Sequence, residues 1–376
     1  MKCIYVSGTE QHAGKTSTSL GLYAAARARG YDTCYFKPVG QRCIVTENQR
    51  VDEDAVVFKH AIQSNGHIKD LNPVSIPRGF TREYIFDRRP ELTRGRIMEA
   101  FERLKDKHEL AIVEGTGHAG VGSVLDVSNA QVAAMLDAPC LMVSPGGIGS
   151  SIDLVALNRA VFEREGVEIC GVIVNKVYEE KYDHVAPAVR QGLKNLGLRC
   201  LGVVPYRRQM TYTTVEQVRS ELHLPALCNQ DRLKNRIRKV TVAAVPPEHT
   251  IEEVEDGSLV VFPGDREEGI VPSVKAYLRG SRGEGPHISG IMLADGYEPH
   301  GYIEHLLERS GIPVLTTGGN SIDMAMKARS LIAKIWEQDT DKITLAQQLI
   351  NDWVELDELF RLVGMQPAEP HNRPLA

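Results

Sequence analysis

The stretch from Lys2 to Thr16 constrains this chain more than any other. An apolar run, Cys3-Ile4-Tyr5-Val6, meets Gly8, and Gly14-Lys15-Thr16 then opens an alanine-rich segment that stops at Gly30. That order predicts a buried strand, a glycine-bounded loop and a helix from Thr16 to Arg29. A helix N-terminus presents unpaired N–H groups and a partial positive charge, and glycine lets the backbone come close to an anion. Lys15 adds a mobile cation and Thr16 a hydroxyl suited to Mg2+. The expectation is a cradle for the phosphates of a nucleotide, formed by Gly8, Thr9, Gln11, His12, Ala13, Gly14, Lys15, Thr16 and Ser17.

Five residues separate Gly8 from Gly14, one more than in the common P-loop pattern. The position of the loop, after a strand and before a helix, outweighs that irregularity. Downstream, Tyr31 to Val39 reads as a second strand with Lys37 at its carboxyl end, the edge where open α/β sheets bind ligands. Lys37 there either holds a carboxylate or phosphate or is a plain strand-end cation. Asp52-Glu53-Asp54 leads into an apolar helical run, where acids complement the helix dipole. Leu110 to Val113 is a short strand tipped by Glu114 beside Gly115, the arrangement expected of a metal contact in a P-loop site. His118 in the same loop is a weaker candidate. Cys140 to Val143, Val167 to Val174 and Arg199 to Val204 are further strands. They are followed by Ser144-Pro145-Gly146-Gly147, by Asn175 and by Pro205. The Asn175 amide matches the hydrogen-bonding edge of adenine.

The strand–helix rhythm to about residue 205 predicts a mostly parallel sheet with helices on both faces. A length of 376 residues is more than one ordinary core holds, and the rhythm breaks near residue 211. The domains expected are 1–210, a smaller α/β domain over 211–362, and a flexible tail, 363–376. In the second domain three loops, Pro263 to Gly269, Ala294-Asp295-Gly296 and Thr316 to Asn320, follow strands and form either a ligand site or simple turns. A net charge of −5 with pI near 6.2 gives no electrostatic reason to expect nucleic acid or a membrane surface. No apolar run approaches a membrane span, and the N-terminus has no secretory leader pattern. Seven cysteines without a Cys-x-x-Cys pair read as reduced residues of a cytoplasmic protein.

Gly8 to Thr16, Lys37-Pro38-Val39, Asp54-Ala55, Glu114-Gly115 and Asn175 together resemble dethiobiotin synthetase and the related cobyrinic acid a,c-diamide synthase P-loop proteins. Gly264-Asp265-Arg266 to Gly269 and Ser289 to Leu293 are similar to the DRTGG domain that follows such a unit in long bacterial phosphotransacetylases. The resemblance implies a P-loop NTPase domain followed by a DRTGG-like domain, with ATP and Mg2+ as cofactors. It implies Lys15 and Thr16 on the phosphates and metal, Asp54 and Glu114 as further metal contacts, Lys37 facing the γ-phosphate and an acceptor, and Asn175 with Pro205 near adenine. It also implies a homodimer.

Departures limit the transfer. His12 stands where dethiobiotin synthetase usually has an acid, His118 where it has a glycine, and Glu267-Glu268 interrupts the DRTGG core. No cysteine follows Cys228, so a glutaminase nucleophile in the C-terminal half is not expected, nor is phosphotransacetylase chemistry. Two readings remain. One is an ATPase with a regulatory, metabolite-sensing second domain. The other is an ATP-dependent ligase that phosphorylates a carboxylate or carbamate of an unidentified small-molecule acceptor, with Lys15 and Lys37 as its catalytic cations.

Overall fold

The strands of the N-terminal half are apolar through their middles, and the fold buries those stretches on both faces. In the computed structural model β1 (Lys2–Gly8), β2 (Thr33–Phe36), β3 (Leu110–Glu114), β4 (Cys140–Pro145), β5 (Ile169–Val177) and β6 (Cys200–Pro205) form one sheet, ordered β6-β5-β4-β1-β3-β2. Every pairing is parallel, so the sheet is wholly rather than mostly parallel. Alternate residues face opposite cores, as a period of two requires. Cys3, Tyr5, Ala111, Val113, Cys140 and Met142 enter one core. Ile4, Val6, Leu110, Ile112, Leu141 and Val143 enter the other.

The structure describes residues 1–46, 48–64, 66–243, 254–263, 267–280, 283, 287–299, 301–331 and 334–366. They fall into two units, Met1–Arg207 with Ile335–Ala376, and Arg208–Lys334. This corrects the expected boundaries. The helices Thr340–Trp353 and Leu356–Leu362 belong to the first unit, because Ile350, Val354, Leu356, Leu359 and Phe360 close its second core. Gly21 of α1 (Lys15–Ala28) makes room for this layer: a Cβ there would lie 2.4 Å from the Ile350 Cβ. Of the expected tail, residues 367–376 lie outside the described residues. Val363 is buried, and the Gln366 carbonyl accepts a hydrogen bond from the Tyr31 hydroxyl at 2.7 Å.

Between β2 and the next helices the chain forms short ladders that the sequence does not announce. Val39–Gly40 pairs with Val74–Ser75, and Cys43–Thr46 pairs with Gln49–Asp52 as a hairpin. The hairpin delivers Asp52 to the N-terminus of α2 (Glu53–Ala61), where its carboxylate accepts from Asp54 N at 3.0 Å, a helix cap.

The second unit is also a sheet flanked by helices. Its strands are β7 (Ala226–Cys228), β8 (Lys239–Val242), β9 (Ser258–Phe262), β10 (Ile288–Leu293) and β11 (Val314–Thr316), ordered β7-β11-β10-β9-β8. Only β7 runs antiparallel to its neighbour. A Thr214–Gln217 capping box starts the helix Val215–Glu221. Among the described residues no helix is long and apolar enough to cross a membrane.

Candidate functional site

Because the first sheet is parallel, all its carboxyl ends lie along one edge, and Gly8, Lys37, Glu114, Ser144, Asn175 and Pro205 gather there. The loop after β1 is held from several sides. Thr9 donates through Oγ1 to Ser144 Oγ at 3.1 Å, and its carbonyl accepts from Asn158 Nδ2 at 3.0 Å. Gly14 caps α1 with φ 105°, a left-handed value that glycine adopts without penalty. A Cβ at Gly14 would lie 2.0 Å from Asn175 Nδ2, so any other residue would displace the Asn175 amide as well as strain the backbone. Ser17 Oγ donates to the Gly14 carbonyl at 2.9 Å, whereas Gln11 and His12 are exposed. Lys15 is 9% exposed and folds back over the loop, its Nζ 3.5 Å from the Glu10 carbonyl. Burial pulls its pKa below the ordinary lysine value, with nearby Glu114 opposing.

Beside the loop lies a charged cluster. Thr16 Oγ1 donates to Glu114 Oε1 at 2.9 Å, and Tyr35 OH donates to Glu114 Oε2 at 3.2 Å. Lys37, 2% exposed, donates to Asp54 Oδ2 and, at 3.3 Å, to Glu114 Oε1, and lies 3.4 Å from Asp52 Oδ1. Burial disfavours the Lys37 ammonium, but Asp52, Asp54 and Glu114 outweigh it and hold the group well above its ordinary value. Burial raises the Glu114 carboxyl against the pull of Lys37, and does the same at Asp52. Thr16, Lys37, Asp54 and Glu114, expected together from sequence, are thus linked in one cluster, and Lys15 lies close enough to feel the Glu114 charge.

Asn175 and Pro205 sit on adjoining strands β5 and β6, with Pro205 opposite Val177. The Asn175 amide is engaged by the loop itself: Nδ2 donates to the Ala13 carbonyl at 3.0 Å and Oδ1 accepts from Lys176 N at 2.9 Å. His118 is exposed, and its Nδ1 accepts from Gly120 N at 3.3 Å. Sequence reasoning missed Asp52 as a partner of Lys37. It also missed Asn72, fully buried, whose Nδ2 donates to the Lys37 carbonyl at 2.8 Å and whose Oδ1 accepts from Asp52 N at 2.9 Å. Nothing in the local pattern around Asn72 marks it, because both partners are distant in sequence.

The donor set suits Mg2+, a hard cation that prefers oxygen and keeps water and phosphate ligands. Thr16 Oγ1, Asp54 and Glu114 are oxygen donors within one cluster. Among the described residues no three His, Cys, Asp or Glu side chains are arranged to hold a metal by themselves. In the second unit two of the three expected loops meet at the carboxyl edge of the sheet: Asp295 N donates to the Gly319 carbonyl at 2.9 Å and Gly296 N to the Thr317 carbonyl at 3.0 Å. Gly264, Asp265 and Arg266 of the third lie outside the described residues.

A parallel sheet whose first strand runs through a glycine-bounded Gly-Lys-Thr loop into a helix, with an acid at the tip of the neighbouring strand, defines a P-loop NTPase fold. The chain belongs to the AAA domain family AAA_26, whose family model matches residues 2–214, and a DRTGG domain matches residues 217–331. It is 22% identical over 365 residues to a phosphate acetyltransferase of Nitratidesulfovibrio vulgaris, covering 95% of this chain and 51% of that one. It is 28% identical over 204 residues to the ATP-dependent dethiobiotin synthetase BioD of Xanthomonas campestris pv. campestris, covering 54% of this chain and 90% of the synthetase. The chain spans about half the length of the phosphate acetyltransferases it matches. Among solved structures, the MinD cell division protein of Aquifex aeolicus is 14% identical with a TM-score of 0.37, covering 56% of this chain and 84% of that one. At that level the likeness carries no functional information.

Proposed function

We propose that the first unit binds Mg-ATP at the Gly8–Thr16 loop and hydrolyses it, and that the DRTGG unit gives the chain a regulatory, metabolite-sensing output. The observation that carries this reading is the single cluster of Lys15, Thr16, Lys37, Asp54 and Glu114 beside the loop. A site that only bound a nucleotide has no need of a second buried lysine held charged by three acids. In this reading Thr16, Asp54 and Glu114 hold Mg2+, which when bound neutralises charge on the phosphate oxygens. Lys15 and Lys37 stabilise the charge that builds on the transferred phosphoryl group, and Asn175 and Pro205 border the base.

A second reading is an ATP-dependent ligase that phosphorylates a carboxylate or carbamate, with Lys37 facing both the phosphate and the acceptor. The 28% identity to a dethiobiotin synthetase over the first unit favours it. Phosphate release from Mg-ATP, alone and with pools of small carboxylates, amines and bicarbonate, separates the two. Turnover that needs one acceptor and disappears in Lys15→Ala supports the ligase, and acceptor-independent turnover lost in the same variant supports the ATPase. No ATP binding to the wild type rules out both. A homodimer in the cytoplasm is part of this proposal, and light scattering on the purified chain tests the dimer.

A further inference from the structure

Two non-glycine residues in left-handed conformation face each other across the loop: His12 with φ 60° and Lys176 with φ 62°. Such backbone is uncommon outside glycine and persists only where its surroundings impose it. The two are joined by one hydrogen bond, from Lys176 Nζ to the His12 carbonyl at 2.5 Å. The preceding residue, Asn175, reaches the next carbonyl, that of Ala13, through Nδ2 at 3.0 Å. Consecutive residues at the end of β5 therefore grip consecutive carbonyls of the loop.

Peptide geometry gives that grip a meaning. In a trans peptide the carbonyl of one residue and the N–H of the next point in opposite directions, and the chain has no cis peptide among its described residues. Drawing the His12 and Ala13 carbonyls toward β5 turns the Ala13 and Gly14 N–H groups the other way. Neither N–H donates to another group among the described residues. Consecutive N–H groups facing one way make an anion cradle.

Resting on the Mg-ATP reading of this loop, we infer that Lys176 is a positioning residue for phosphate binding: with Asn175 it holds the loop in its binding conformation before any nucleotide arrives. Its ammonium acts on the protein backbone and is not one of the cations assigned to phosphate.

The test uses the full chain with Lys176→Asn, which tolerates left-handed backbone but lacks the reach to His12, and Lys176→Arg, which keeps both charge and reach. In ligand-free protein, hydrogen exchange of the segment 9–15 is faster in K176N than in wild type or K176R. Unchanged exchange overturns the inference whatever the loop binds. In calorimetric titrations ATP binds K176N about tenfold more weakly, the scale of one hydrogen bond to a charged group, with K176R close to wild type. At saturating Mg-ATP the kcat of phosphate release is retained, and the thermal midpoint of K176N is not lowered. Equal Kd in K176N and wild type overturns this inference and leaves the nucleotide reading standing. ATP binding absent from the wild type removes that reading, and the phosphate role of Lys176 with it.

Discussion

Lys15 and Lys37 are both buried lysines of one cluster, yet their surroundings give them opposite structural roles. Lys37 is the shared partner of Asp52, Asp54 and Glu114, and removing one member of a buried ionic cluster strands the others at a cost of about 3–5 kcal/mol. Lys15 has a single long contact to a carbonyl, and burial works against its charge. Lys37→Met is therefore expected to lower the unfolding free energy by about 3–5 kcal/mol, whereas Lys15→Met leaves it nearly unchanged while abolishing nucleotide binding. Urea titrations of the two variants decide this, and equal midpoints would refute the assignment. Gly14-Lys15-Thr16 was legible in sequence because its chemistry is contiguous. Glu114 was legible because a strand tip is a local pattern. Asp52 and Asn72 were not, since their meaning lies in contacts to Lys37 made through folds of the chain that no local pattern encodes.

At the scale of elements, α1 and the helix Thr340–Trp353 meet at a glycine. Gly21→Ala gains about 1 kcal/mol of helix propensity, but its Cβ would sit 2.4 Å from the Ile350 Cβ, and overpacking costs about 1–3 kcal/mol. The clash wins, so G21A should unfold at lower urea, and in an Ile350→Gly background, which removes that Cβ, the same change at Gly21 should cost less. Strictly additive effects would show that the two sites do not touch. The helices Thr340–Trp353 and Leu356–Leu362 bury apolar residues along one side, but an amphipathic stripe says only that a helix is covered, not by which sheet. The hairpin Cys43–Thr46 with Gln49–Asp52 was missed for a related reason: its residues are mixed in polarity and mostly half-buried, so neither alternation nor an apolar run marks it.

For the whole molecule, the unit boundaries make a strong statement. A chain ending at residue 334 loses the layer of Ile350, Val354, Leu356, Leu359 and Phe360 that closes one core of the first unit. It is expected to aggregate, whereas residues 208–334 alone should give a dispersed amide spectrum. A soluble, ATP-binding 1–334 fragment would refute this. The buried thiols set an alkaline limit. Burial pushes Cys3, Cys34 and Cys170 up from 9.0 to about 12. A raised folded value means that the stability tied to the neutral thiol is whole below pH 9 and is lost as pH climbs toward 12. Denaturant midpoints should therefore fall from about pH 9 upward. At pH 8 iodoacetamide should label half-buried Cys43 and Cys228 before the buried five, and labelling of Cys3 at the rate of a free peptide would overturn this.

The division of the first unit into Met1–Arg207 and Ile335–Ala376 also dictates an order of events on the ribosome. When β6 has emerged, α1 already packs on that face of the nascent sheet, but the two C-terminal helices that complete its cover are still missing, and the entire DRTGG unit must be synthesised before they appear. At ~5–20 residues per second that interval lasts many seconds, ample time for the interposed unit to fold. The later part of the chain is then expected to finish folding before the earlier part, and during that wait the part of the sheet that α1 leaves open is the surface a chaperone would meet.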